Sequence, residues 1–268
     1  MTSTPAQFVH LRAEFRLAFD SPHDSPLIMV LRPRIDQRQT VLLDRFEVTP
    51  SLPVVEYVDV HGNRCQRLTL PEGHCELKGA VEARVEDQLS WDWQARFVSI
   101  PDLPNSVLQY LLPSRYCESD HVGGLALDIV GDTPPGLAQV GQISDWIHQN
   151  VKYRPGSGMD LLTAEAVLAR RQGVCRDLAH LGIALCRSLS IPARFVSGYL
   201  DGLDPMDLHA WFEVWMDGRW HGVDPSQPHR QGGRIRIGVG RDGADVPIFN
   251  RFGPPLEPSH LSFEVRRF

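Results

Sequence analysis

No stretch of the chain approaches the ~20 consecutive apolar residues of a membrane-crossing helix, so no such helix is expected. The first seventeen residues, Met1 to Leu17, hold no unbroken apolar core. His10, Arg12, Glu14 and Arg16 interrupt them, which argues against a secretory leader. Lysine and arginine form no long run, and the net charge is −6 with a pI near 6.0, so nucleic acid and anionic membrane are poor partners. The cysteines are Cys65, Cys75, Cys117, Cys175 and Cys186, an odd set without a C-x-x-C pair. In the absence of an export signal they read as free thiols in a reducing cytoplasm, although Cys65 and Cys75 flank a turn-like segment and could pair under oxidation. Nothing supplies a calcium cage. A zinc site from Cys175, His209 and His221 lacks the short ligand spacings of structural sites. No cofactor or metal is therefore expected.

What is present fits an ordinary globular protein of 268 residues, 42% hydrophobic and 22% charged, as one large domain or two smaller ones. Residues 1–100 read as mostly β. Leu27 to Arg32, Thr40 to Val48, Val54 to Val60, Arg64 to Leu70 and Gly79 to Leu89 are short β-favouring runs between Pro, Asp and Gly punctuation. Their spacing suggests a small β-sandwich or barrel without a catalytic constellation. Residues 101–135, rich in Pro and Gly, read as a connector with one short helix near Asn105 to Leu112. The remainder, to residue 268, mixes helices and strands, which makes the expected class α+β. Val140, Ile143, Ile147 and Val151 mark an amphipathic helix, and Thr163 is a candidate N-cap for another through Arg171.

Two local patterns carry the chemistry. Gly173 follows basic residues as a helix stop, and from Leu178 to Leu189 an apolar helical stripe restarts, ended by Ile191-Pro192. Cys175 thus falls at or just before the first turn of a helix, where orphan N–H groups and the helix dipole favour an anion. A thiol so placed can have its pKa drawn from ~8.5 towards neutrality, and a histidine partner strengthens the effect. A buried core thiol is the plain alternative, and the simplest reading of Cys186. The second pattern is Asp217-Gly218, a two-residue hairpin signal between strands His209 to Met216 and Arg219 to Asp224. In that register Trp215 faces Trp220 and Trp211 faces Asp224. His209 is then diagonal to Asp224 on one face, roughly 7–8 Å apart at Cβ. A one-residue slip would separate them.

A carboxylate at that position can fix the imidazole tautomer, so that the other ring nitrogen faces a nucleophile. Cys175, His209 and Asp224, in that order, suit a thiolate–imidazolium pair attacking an amide carbonyl through an acyl-thioester. The Cys175 N–H is the natural first oxyanion donor; Tyr153 or a polar group in Ser157 to Asp160 could be the second. Each member has a rival reading: His209 as a strand-end histidine, Asp224 as a turn residue before Pro225. His180 points away from Cys175 around the helix and reads as structural, and His221 faces the opposite side of the hairpin.

Four blocks together resemble the bacterial transglutaminase-like superfamily: Gly173-Val174-Cys175-Arg176-Asp177-Leu178-Ala179-His180-Leu181, Pro192 to Leu200, His209-Ala210-Trp211-Phe212-Glu213-Val214 and Asp224-Pro225-Ser226. Residues 1–100 and Leu111 to Tyr116 resemble the N-terminal β region of its candidate cysteine-protease branch. Ser226, where Thr is usual, is a mild departure. The resemblance implies a papain-like α+β core over residues 101–268, with Cys175 as nucleophile, His209 as base and Asp224 as orienter. It implies a cysteine-dependent hydrolase of peptide or protein amides, with acyl transfer to an amine, or a non-catalytic binding module, as alternatives. Trp211, Trp215 and Trp220 would favour acyl transfer if they made the cleft poor in water.

Overall fold

The computed structural model describes residues 7–89, 91–92, 95–154, 161–227 and 232–268. The first third is β, as its alternation requires. β1 (Phe8–Ser21), β2 (Ser25–Met29), β3 (Gln39–Thr49), β4 (Val55–Val58), β5 (Arg64–Leu70) and β6 (Gly73–Glu86) precede any helix of the α type. In β1, Leu11, Ala13, Phe15, Leu17 and Phe19 are buried while Phe8, His10, Arg16 and Asp20 are exposed, the signature of a sheet with one wet face.

Helices follow, and three of them pack on a fifth. α1 (Asn105–Leu108) matches the short connector helix, whereas α2 (Gly123–Val130) was not expected. Gly123 and Gly124 suggest a breaker, yet they open the helix that buries Ala126 and Val130. α3 (Leu137–Asn150) buries Val140, Ile143 and Ile147. A two-residue β7 (Lys152–Tyr153) leads to α4 (Ala164–Arg170), where Thr163 Oγ1 accepts the Ala166 N–H at 3.3 Å, as its place at the N-cap predicts. β8 (Gln172–Gly173) pairs with β7 in parallel just before α5 (Cys175–Ser188), which is buried along most of its length.

α5 packs on a second sheet: β9 (Ala193–Leu200), β10 (Leu208–Met216), β11 (Arg219–Val223) and β12 (Arg234–Gly240), in the order β11-β10-β9-β12. The contact is close. A Cβ on Gly182 would lie 2.4 Å from Cε1 of Phe212, so only glycine lets the helix approach β10 this far. The Asp217-Gly218 turn has both residues left-handed, at φ 47° and 79°, as a type I′ hairpin demands. Its register is the one the turn predicts, with Trp215 opposite Trp220 and Met216 opposite Arg219.

The chain ends by returning to its start. β13 (Phe249–Arg251) pairs with β2, and β14 (His260–Arg267) with β1. The N-terminal region is thus two four-stranded sheets, β14-β1-β6-β3 and β13-β2-β5-β4, completed by the last twenty residues. Its apolar core also takes in Tyr199, Ile235 and Ile237 from the second sheet. The whole is α+β, an antiparallel N-terminal β region joined to a mixed core. Among the described residues no helix is long and apolar enough to cross a membrane.

Candidate active site

α4 stops because Arg171 turns left-handed, at φ 52°. Gly173, expected to make that stop, instead pairs with Tyr153 across the β7–β8 bridge. This short bridge carries the chain into α5, whose first residue is Cys175. The N-terminus is fixed by Asp177: its Oδ2 accepts the Val174 N–H at 3.0 Å and its Oδ1 the Leu162 N–H at 3.3 Å. An acidic side chain three residues beyond the cap satisfies an orphan donor and complements the helix dipole.

Cys175 is the partly exposed cysteine of the five; the other four are buried, and all are free. Burial pushes the Cys65 thiol up to about 11 and that of Cys117 up to about 12, and raises Cys75 and Cys186 as well. Cys65 and Cys75 belong to strands of different sheets, β5 and β6.

His209, second residue of β10, is 1% exposed and aims its Nε2 at Asp224 Oδ2, 2.7 Å away. Its Nδ1 is buried and makes no hydrogen bond of good geometry. With Nε2 committed to the carboxylate, Nδ1 is the nitrogen left for the sulfur. Burial acts to lower the His209 pKa. The charge of Asp224, then that of Cys175, and hydrogen bonding to both outweigh it and push the imidazole up to about 10. Asp224 is buried too, which favours its neutral form, but His209 and Arg234 hold it well below the ordinary carboxylate range. Its oxygens divide their partners. Oδ1 accepts from Ser226 Oγ at 2.7 Å and Ser226 N at 3.2 Å, and Oδ2 from His209 and from Arg234 Nη2 at 2.9 Å.

Cys175 and His209 open on a cleft of about 280 Å³, walled by Tyr153, Phe195, Met206, Val246 and Ile248, with Arg176 and Asp207 as charged lining residues. Burial raises the Tyr153 phenol, and the charges of Cys175 and Asp224 raise it further, so it stays a proton donor. Trp211, Trp215 and Trp220 do not line the cleft. Trp215 and Trp220 stack edge to face at 5.2 Å, and Trp211 lies against the far side of His209 at 6.1 Å.

The three residues singled out by spacing are therefore together. His180 is apart from them and buried. Its Nδ1 contacts the Leu162 carbonyl at 3.1 Å and its Nε2 accepts the Gly243 N–H at 3.0 Å, tying the segment before α4 to the one after β12. His221 contacts the Met216 carbonyl at 3.3 Å, outside the cleft. The Ser157 to Asp160 segment lies outside the described residues. Among those described, no group of three or more His, Cys, Asp and Glu side chains is placed to hold a metal ion. Spacing did not single out Arg234, Asp177 or Asp207. An Asp at the third helical position could have marked the cap. The Arg234 contact depends on how β12 pairs with β9, for which the sequence offers no signal.

The description of the transglutaminase-like superfamily matches residues 124–225, and that of the bacterial transglutaminase-like N-terminal region matches residues 9–86. An uncharacterized protein of Mycobacterium leprae (strain TN) is 30% identical over 239 residues, 81% of this chain and 82% of its own. An uncharacterized protein of Mycobacterium tuberculosis (strain H37Rv) is 40% identical over 116 residues, 38% of this chain and 37% of its own. Among solved structures, a candidate cysteine protease from Cytophaga hutchinsonii superposes with a TM-score of 0.90 at 30% identity, over 98% of this chain and 91% of that one. With residues 124–225 as its core and residues 9–86 as its N-terminal β region, the chain belongs to the transglutaminase-like superfamily.

Proposed function

We propose that this protein is a cysteine-dependent amide hydrolase that works on peptide or protein substrates through Cys175, His209 and Asp224. The observation that carries the reading is the buried 2.7 Å contact of His209 Nε2 with Asp224, which leaves the other ring nitrogen for a thiol at a helix N-terminus in a cleft. The Cys175 proton passes to His209, and the sulfur bonds to the carbonyl carbon. The oxyanion is met by the Cys175 N–H, which has no partner within the helix, and by the Tyr153 hydroxyl. The C–N bond then breaks, and His209 gives its proton to the departing amine. Water, deprotonated by His209, opens the thioester and restores the thiol.

Cys175→Ala should abolish turnover of any substrate. With the native cysteine, a short incubation with substrate should add the mass of the acyl group to the peptide that holds Cys175. Turnover that survives the substitution would remove the mechanism. Transfer of the acyl group to an amine would use the same thioester, but the tryptophans that would favour it stand outside the cleft. Measuring hydrolysis against amine incorporation from one acyl-enzyme separates the two. A protein whose Cys175 neither turns over substrate nor labels faster than the buried thiols would be a binding module on this fold.

A further inference from the structure

Arg234 reaches the site from β12, and neither the nucleophile nor the base requires a guanidinium there. Its Nη2 donates to Asp224 Oδ2 at 2.9 Å, the same oxygen that accepts from His209 Nε2 at 2.7 Å. Its Nη1 donates to the Gly232 carbonyl at 2.8 Å, and its guanidinium carbon stands 5.8 Å from the centre of the Trp211 ring. That ring stacks on the His209 imidazole. Arg234, Asp224 and His209 are all buried, so solvent screens their charges poorly.

Two cations on one carboxylate oxygen oppose each other. Asp224 and a protonated His209 alone would be a neutral pair, but with Arg234 the trio carries one net positive charge. The proton on His209 is then held less tightly than by a carboxylate that served the imidazole alone. Among the described residues, Cys175 from α5 and Asp207 also act on the ring, and Tyr153 and Arg176 line the same cleft. Ser226 holds only the opposite oxygen of Asp224. Efficient acid–base work needs an imidazolium that gives its proton up as well as one that forms.

We propose that Arg234 is a positioning residue of this site: it fixes the Asp224 carboxylate and weakens the hold of that carboxylate on the His209 proton, so that the imidazolium can release it to the leaving amine. The inference rests on the reading of Cys175, His209 and Asp224 as a working set, and its test is arranged so that the two fail separately. His209 is titrated by 15N NMR in the Cys175→Ala protein, alone and with R234Q, R234K or D224N added. Removing the sulfur makes the readout independent of turnover.

R234Q should move the His209 midpoint upward by on the order of one pH unit, D224N should move it down, and R234K should leave it close to the parent. A midpoint that stays put or falls in R234Q overturns the proposal, as does a rise in R234K equal to that in R234Q. If glutamine is not tolerated, R234M serves the same arm, and its predicted rise is the same. A protein whose native Cys175 proves unreactive, but whose His209 still shifts upward in R234Q, would retain the Arg234 effect and lose the enzymatic reading.

Discussion

The imidazole of His209 is bonded to a carboxylate on one side and faces a sulfur on the other, and its burial works against both. The folded protein keeps a proton there that the unfolded chain releases near pH 6.5. The resulting contribution to stability is full below pH 6.5 and is lost as the pH rises through about 10. A His209→Gln protein should therefore show a shallower fall in urea midpoint between pH 6.5 and 10 than the parent; an identical slope would contradict the pairing. His180 has the opposite sign. Burial, opposed by the charge of Asp242, lowers it to about 4, so the unfolded chain takes up a proton that the folded one refuses. Stability should fall as the pH drops from 6.5 to 4, and the fall should lessen in His180→Asn. Equal acid sensitivity in both proteins would show that other groups dominate.

At the scale of elements, the site depends on how α5 meets β10. Gly182→Ala would gain about 1 kcal/mol of helix propensity. It would also drive a methyl to 2.4 Å from the Phe212 ring, and overpacking of this kind costs about 1–3 kcal/mol. The overlap wins, so the variant should unfold at lower urea, with the slope of the transition unchanged. A higher midpoint would mean that the ring moves aside at no cost. A two-residue turn fixes register by arithmetic, so the place of His209 beside Asp224 was legible from Asp217-Gly218 alone. Two glycines at the start of α2 hid a helix whose only other signal was a short apolar run. The three residues of β13 are too few to show alternation. Arg234 reaches Asp224 through the β9–β12 pairing, which shifts register between Arg236 and Gly238, and no local pattern encodes that.

Across the whole molecule, the N-terminal β region is bonded into the core rather than hung from it. Tyr199 donates to the Leu31 carbonyl at 3.0 Å, and Asn63 closes two hydrogen bonds of 2.8 Å with the backbone of Val239. Glu213 on β10 joins Arg38 of the N-terminal region to Arg194 and Arg236 of the second sheet, at 2.8, 2.6 and 3.0 Å. Removing that one carboxylate leaves three guanidiniums close together, two of them largely buried, with Asp36 still paired to Arg236. Glu213→Gln should destabilise the protein by about 3–5 kcal/mol in chemical denaturation. A loss below 1 kcal/mol would mean that the arginines find solvent or other partners. None of the described residues from Phe8 to Glu86 lines the cleft; what this region does is brace the second sheet. That role was not legible from sequence, because it depends on contacts between residues more than a hundred positions apart.

Whether His209 makes Cys175 reactive can be tested by alkylation, without any substrate. All five cysteines are followed by peptide mass spectrometry during brief exposure to iodoacetamide at neutral pH, in the parent and in His209→Ala. Cys175 should label well ahead of the four buried thiols, and its rate should fall on the order of tenfold or more without the imidazole. Equal rates at Cys175 in the two proteins, or labelling no faster than at Cys65, would show that the imidazole does not activate the thiol.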